Sequence, residues 1–349
     1  MKLVKTEEAV GQVLCHDITQ IVKGSIKDAV FRKGHIVTEE DIPLLLSLGK
    51  DHLYIWENDD TMFHENEAAE ILYELCAGEN MDRSEVKEGK IELIAKVDGL
   101  LKVCSAGIKA VNGFGQMMIA SRHGNFPVKK GDKIAGTRII PLVIEKEKME
   151  RAKEACLQAT KGRSVFVLKP FVSKKVGIIT TGNEVYYGRI EDTFTPVIVD
   201  KIEEYDSKVI AHETFEDNDA KVTDCILRMI DGGCDVICCT GGMSVDPDDK
   251  TPLAIKNTGA NVVTYGAPVL PGAMFMLAYF TRADGKQIPI MGLPGCVMYA
   301  KRTIFDLVLP RIMADDPVTS DELAALGEGG LCLNCPECTF PNCGFGKGR

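Results

Sequence analysis

Two groups of side chains in this chain have the types and spacing to do chemistry. Cys332, Cys335, Cys338 and Cys343 stand with two-, two- and four-residue gaps near the end of the sequence. Thiolates that close in sequence suit three corners of a 4Fe–4S cube. Structural zinc usually takes two C-x-x-C pairs set farther apart, and a disordered thiol tail carrying no metal has the same composition. The second group lies in Gly-containing loops. TTGNEVYYG places Glu184 just past Gly182, which lets the backbone turn tightly. TGGMSVDPDDKTP offers Gly241 and Gly242 for close backbone approach, followed by Asp246, Asp248 and Asp249. GLPG at 292–295 runs into a predicted long helix, whose free N–H groups and dipole would favour phosphate. Taken singly, each loop is also ordinary turn and cap chemistry, with Asp249 or Thr251 capping the next helix. Together they describe one site. Carboxylates beside a phosphate-holding loop repel it unless Mg²⁺ lies between, and Mg²⁺ takes one or two carboxylates plus ligand oxygens.

These loops need elements to hold them. After Pro170 the chain alternates strand and helix: VGIIT, PVIVDKIEEY, KVIAHETF, AKVTDCILRMID, CDVICCTGG and TPLAIKNTG, then strands at NVVTYG, FMLAYF and IPIMGLPG. CVMYAKRTIFDLVLPRIM reads as one long amphipathic helix. This pattern predicts an α/β fold, a mostly parallel sheet with helices on both faces, and ligands in such sheets bind beyond the carboxyl ends of the strands. All three loops follow strands. Earlier in the chain, residues 1–57 read as short strands and one helix from Thr38 to Leu48, ending in the strand LYIW. Residues 58–173 read as a Glu-rich linker helix and a small mostly-β module, 174–314 as the α/β domain, and 315–349 as a linker with a Cys-rich tail.

Composition bounds the function. The chain has 349 residues, 45% hydrophobic and 26% charged, with a net charge of −10. An acidic globular protein of this kind is a poor partner for nucleic acid, whose binding draws on Lys and Arg. No run reaches the roughly 18 apolar residues of a membrane span, and the start lacks the apolar core of a signal peptide, so a cytoplasmic location is expected. Most of the thirteen cysteines should then be buried thiols or metal ligands rather than disulfides.

The order TTGNEV, IEDTFTP, CTGGMSVDPDDKTP, LPG and GLPG, from about Val176 to Arg311, resembles the molybdopterin-binding domain shared by the MoeA/gephyrin molybdotransferases and the MogA/MoaB adenylyltransferases. The resemblance implies a site for molybdopterin or its adenylylated form, with the ligand phosphate in the Gly-rich loops and Mg²⁺ held by acidic residues. It implies catalytic roles for Glu184 and Asp249, and metal contacts from Asp246, Asp248 and Asp249. It implies ligand contacts from Thr181, Gly182, Asp192, Gly241, Gly242, Ser244, Pro271, Gly272, Pro294 and Gly295. The chain departs from that pattern too. Asn183 replaces a usual Asp, and LPGAM and GLPGCVMYA stand where MoeA proteins resemble KPGKP and GLPGNPVSA, so two lysines are missing. The first half shares a VGQVLCHDIT start and an FRKGHIVTEEDIPLLLSLG stretch with MoeA, but lacks its Met-Asp-Gly-Tyr-Ala and Thr-Gly-Ala-Pro segments. The expected function is molybdenum insertion into molybdopterin by a homodimeric, divergent MoeA-like protein that takes molybdate. The alternative is a non-catalytic protein that binds, delivers or senses the cofactor, its cysteine tail meeting a metalloenzyme partner.

Overall fold

The computed structural model describes residues 2–22, 26–55, 60–244, 246–247 and 249–348. The chain divides into two compact units: Met1–Lys96, Val103–Arg122 and Lys130–Val167 form the first, and Val97–Lys102, His123–Lys129 and Leu168–Arg349 the second. The division differs from the linear one read from sequence, because two short segments of the middle module pack with the α/β unit.

In the first unit, Ala9, Leu14, Ile18, Phe31, Val37, Leu45 and Leu53 form a small core. The expected helix at 38–48 starts as a 3₁₀ turn at Glu39–Asp41 and continues as Ile42–Ser47, with Thr38 and Asp41 in a capping box. The strand LYIW is present as His52–Ile55, and Trp56 lies outside the described residues. The helix Glu65–Cys76 is no linker. It buries Ala68, Ala69, Leu72, Leu75 and Cys76, and it packs on the four-stranded antiparallel sheet that includes Lys90–Ala95 and Lys133–Ile139.

In the second unit, six strands form the main sheet: β1 (Lys175–Thr181), β2 (Lys208–Phe215), β3 (Val236–Thr240), β4 (Asn261–Tyr265), β5 (Met276–Thr281) and β6 (Gln287–Leu293). Their order is β2-β1-β3-β6-β5-β4. The first four neighbours are parallel and the last two pairings antiparallel. The expected mixed sheet of mostly parallel strands is therefore the fold. β1 and β3 are buried along nearly their whole length, which suits continuous apolar runs covered on both faces. Helices α1 (Phe194–Glu203), α2 (Asp219–Asp231) and α3 (Thr251–Asn257) connect them, and Cys234, Cys238 and Cys239 are core residues.

The predicted long amphipathic helix is broken. Gly295–Met298 is a 3₁₀ turn, and α4 starts afresh at Ile304, capped by Thr303 and Asp306, and runs to Met313. All ten residues of α4 are buried. A helix buried all round needs cover on its outer face, and the segment read as a linker supplies it. α5 (Ser320–Ala325) inserts Leu323, and Val318 and Phe345 join the same core cluster as Leu307, Leu309 and Ile312. The long polar-to-apolar stretch hid this because its buried residues are few and widely spaced.

Charge holds the cover too. Asp316 accepts hydrogen bonds from Lys102 (2.7 Å), Lys169 (2.8 Å) and Arg311 Nε (2.7 Å). Burial works against the Asp316 carboxylate, but the bonds from Lys102 and Lys169 and the neighbouring charges of Arg311 and Lys102 outweigh it and hold the group at about 2. A carboxyl depressed in the folded state contributes stability above its unfolded pKa, and that stability is lost as pH falls through the folded value. The stability difference between wild type and Asp316→Asn is expected to be flat above about pH 5 and to shrink by about 2 kcal/mol between pH 4 and 2. Urea titrations across that range check it, and a pH-independent difference would remove Asp316 from the account.

Candidate functional site

β1, β3 and β6 are parallel and adjacent, so the loops leaving their carboxyl ends share one edge of the sheet. Two of them touch. The Thr181 hydroxyl donates to the Thr240 carbonyl (3.2 Å) and lies 3.1 Å from the Thr251 hydroxyl, which donates to the Gly241 carbonyl (2.9 Å). Gly241 has φ +77°, and a Cβ there would sit 1.9 Å from the Thr181 carbonyl oxygen. At Gly242, with φ +55°, it would meet the Thr251 and Thr181 hydroxyls at 2.9 and 3.0 Å. The two glycines thus allow the β3 loop to lie against the end of β1. Their first duty is packing between loops.

Glu184 is exposed on a single helical turn, Asn183–Tyr186, at the end of β1. Gly182 before it has φ +138°, and a Cβ there would crowd the Glu184 carboxylate at 2.9 Å. Asp249 does not cap α3, whose start at Thr251 has no side-chain cap. Instead Asp249 Oδ2 accepts from the Asp246 amide (3.0 Å), and the Asp249 amide donates to the Asp246 carbonyl (3.0 Å), closing a turn. Ser244 is exposed beside this turn, and Asp248 lies outside the described residues.

Asp192 is committed to the start of α1. It accepts from the amides of Phe194 (2.9 Å) and Thr195 (3.0 Å) and from the hydroxyls of Thr195 (2.6 Å) and Thr180 (3.1 Å). Burial opposes its charge, but these bonds prevail and lower its pKa. His212 Nε2 lies 3.0 Å from the Thr180 hydroxyl and 3.3 Å from that of Thr195. Both hydroxyls spend their hydrogens on Asp192, which assigns the imidazole hydrogen to Nε2. A register irregularity that skips Ile210 turns His212 to the same face as Ile178. Sequence reading missed Thr180, Thr195 and His212, and named Thr251 only as a helix cap. The doubled Thr at the end of β1 was the available signal.

The remaining predicted residues, Pro271–Gly272 and Pro294–Gly295, lie in two further turns. A Cβ on Gly272 (φ +131°) would meet Ile304 Cγ2 at 2.5 Å, so the Pro271–Gly272 turn packs on the start of α4. The backbone of its neighbour Leu270 is bonded to the tail: the Leu270 amide donates to the Gly330 carbonyl and the Cys332 amide to the Leu270 carbonyl, both at 2.8 Å. Pro294 and Gly295 open a 3₁₀ turn rather than a long helix, and the Val297 amide already donates to the Pro294 carbonyl (3.0 Å). Among the described residues, no three His, Cys, Asp or Glu side chains are grouped to hold a metal. The tail thiols are divided: Cys332 and Cys343 pack against the α/β core, while Cys335 and Cys338 are exposed.

Residues 177–314 match the model of a family described as a probable molybdopterin binding domain. That match spans the six-stranded sheet and α1–α4. Residues 3–57 match a domain of unknown function. Among solved structures, MoaB from Pyrococcus furiosus, described as a tungsten cofactor synthesizing protein, is 20% identical, with 36% of this chain and 84% of that one covered and a TM-score of 0.32. The molybdopterin biosynthesis enzyme MoaB from Thermus thermophilus is 21% identical, with 40% and 91% covered and a TM-score of 0.32. CinA from Thermoplasma acidophilum, described as of unknown function, is 16% identical, with 40% and 98% covered and a TM-score of 0.32. A comparison with curated proteins found no match. No helix among the described residues is long and apolar enough to cross a membrane.

Proposed function

We propose that the α/β domain binds molybdopterin or its adenylylated form at the carboxyl edge of β1, β3 and β6 and inserts molybdenum there. The observation that carries this reading is the pairing of the β1 and β3 loops, which sets the Glu184 turn and the Asp246–Asp249 turn on neighbouring strand ends. Mg²⁺ fits these residues. It needs only one or two protein carboxylates, Asp249 uses Oδ2 within its own turn, and the Glu184 carboxylate is exposed. Asp249 with Glu184 would hold the ion, and the ion would supply positive charge to ligand phosphate or oxyanion. A neighbouring carboxylic acid, not one of the two that hold the ion, would pass a proton to a departing oxygen.

A second reading, a carrier or sensor of the cofactor, draws support from the Pro271–Gly272 region. Leu270 and Ala273 stand where lysines would neutralise an anion, and the tail covers the Leu270 backbone. Asp249→Asn separates the readings. Its amide oxygen can keep the bond from the Asp246 amide, so the turn and ligand affinity should persist. If the domain is a molybdotransferase, turnover of adenylylated molybdopterin with molybdate falls by about two orders of magnitude or more. Wild type with ligand affinity and no turnover would establish the carrier. Wild type that binds neither form of molybdopterin would end both readings.

A further inference from the structure

We propose that Cys335 and Cys338 form a dithiol–disulfide site that exchanges with low-molecular-weight disulfides, separate from the two other tail cysteines. The spacing alone suggested four equivalent ligands, and the structure divides them. The Cys332 amide is bonded to the Leu270 carbonyl, and its side chain packs on the core. Cys343 packs on the same core two residues before Phe345, which is 4% exposed. Gathering all four sulfurs around one metal would pull these two from apolar contacts. Cys335 and Cys338 are exposed and need no such rearrangement.

Their setting favours exchange chemistry. The sequence between them is Pro336-Glu337, so the pair has the C-x-x-C spacing used by redox dithiols. The loop is held from one side by Lys301, whose Nζ donates to the carbonyls of Cys335 (3.2 Å) and Pro336 (2.7 Å). Arg302, next to Lys301, lies over the Phe340 ring at 5.0 Å, two residues beyond Cys338. Exchange proceeds through a thiolate, and the exposure of both side chains lets a small disulfide reach them. The reaction balances with one small disulfide. One cysteine thiolate attacks a sulfur of that disulfide, forms a mixed disulfide and releases one small thiolate. The second cysteine gives its proton to solvent, attacks the first cysteine's sulfur, closes the Cys335–Cys338 bond and releases the other. The protein pair is oxidised by two electrons and the small disulfide is reduced to two thiols.

The test uses the reduced full chain equilibrated with increasing ratios of oxidised to reduced glutathione, followed by alkylation and peptide mass mapping. Two thiols should be lost together, both in the peptide that holds Cys335 and Cys338. Cys338→Ser should instead accumulate a glutathione mixed disulfide on Cys335, and Cys335→Ser one on Cys338. Both variants should melt as wild type does, because both side chains are exposed. Failure to lose two thiols at any ratio would overturn the proposal, as would a bond involving Cys332 or Cys343. So would one equivalent of zinc, or about four of iron in anaerobically made protein, protecting all four cysteines from alkylation.

Discussion

A chain cut after Pro317 should fail to fold its α/β domain. The deletion removes Val318, Leu323 and Phe345, each at most 4% exposed and packed with α4. Burying three such side chains is worth about 5–9 kcal/mol, comparable with the roughly 5–15 kcal/mol that separates a folded domain from its unfolded chain. The loss compounds. Glu322, which binds Arg311 at 2.9 Å, leaves with the tail, and a buried guanidinium stripped of a partner costs more than the bond itself contributed. The part of α4 that these side chains cover would then meet water. Soluble yield and a cooperative melting transition measure the outcome. A truncated chain that melts within a few degrees of wild type would return residues 318–349 to the status of a tether.

Gly241→Ala should be the most damaging single methyl group in the domain. Its Cβ would stand 1.9 Å from the Thr181 carbonyl oxygen, a backbone atom fixed in β1, and the φ of +77° disfavours any L side chain. Neither atom can swing away, so the two loops must part, at a cost of about 3 kcal/mol or more. Gly242→Ala meets side-chain hydroxyls near 3 Å at φ +55°, a left-handed conformation that other residues do visit. Its cost should be about 1–2 kcal/mol. Denaturant midpoints of the two variants give the comparison. The sequence reading expects bulk at Gly242 to block backbone approach to phosphate while the fold persists. Ligand binding measured on folded Gly242→Ala addresses that directly. A Gly241→Ala protein as stable as wild type would show that the β3 loop is not held against β1 as described.

The pattern of residues by itself determined the α/β architecture. Continuous apolar runs such as VGIIT and CDVICC are of strand length and end at Gly-containing turns, which suits central strands, and helices with three- and four-residue apolar steps can cover them. It also located the loops at strand ends, since Gly, Pro and Asp cluster where regular elements stop. Tertiary structure decided what those loop residues do. Nothing local in the chain shows that Gly241 faces Thr181, or that Asp192 reaches back to Thr180, because these partners are far apart in sequence. The break before α4 was hidden for a related reason: CVMYAKRTIFDLVLPRIM keeps an apolar periodicity across Tyr299–Thr303, and only the capping box of Thr303 and Asp306 marks the restart. The tail was hardest to read. A Gly- and Glu-rich segment looks like solvent-exposed linker, and its few buried residues matter because they join the core cluster that contains α4. Whether a sparse segment is core depends on the surface it meets, and that surface exists only once the sheet and α4 have come together.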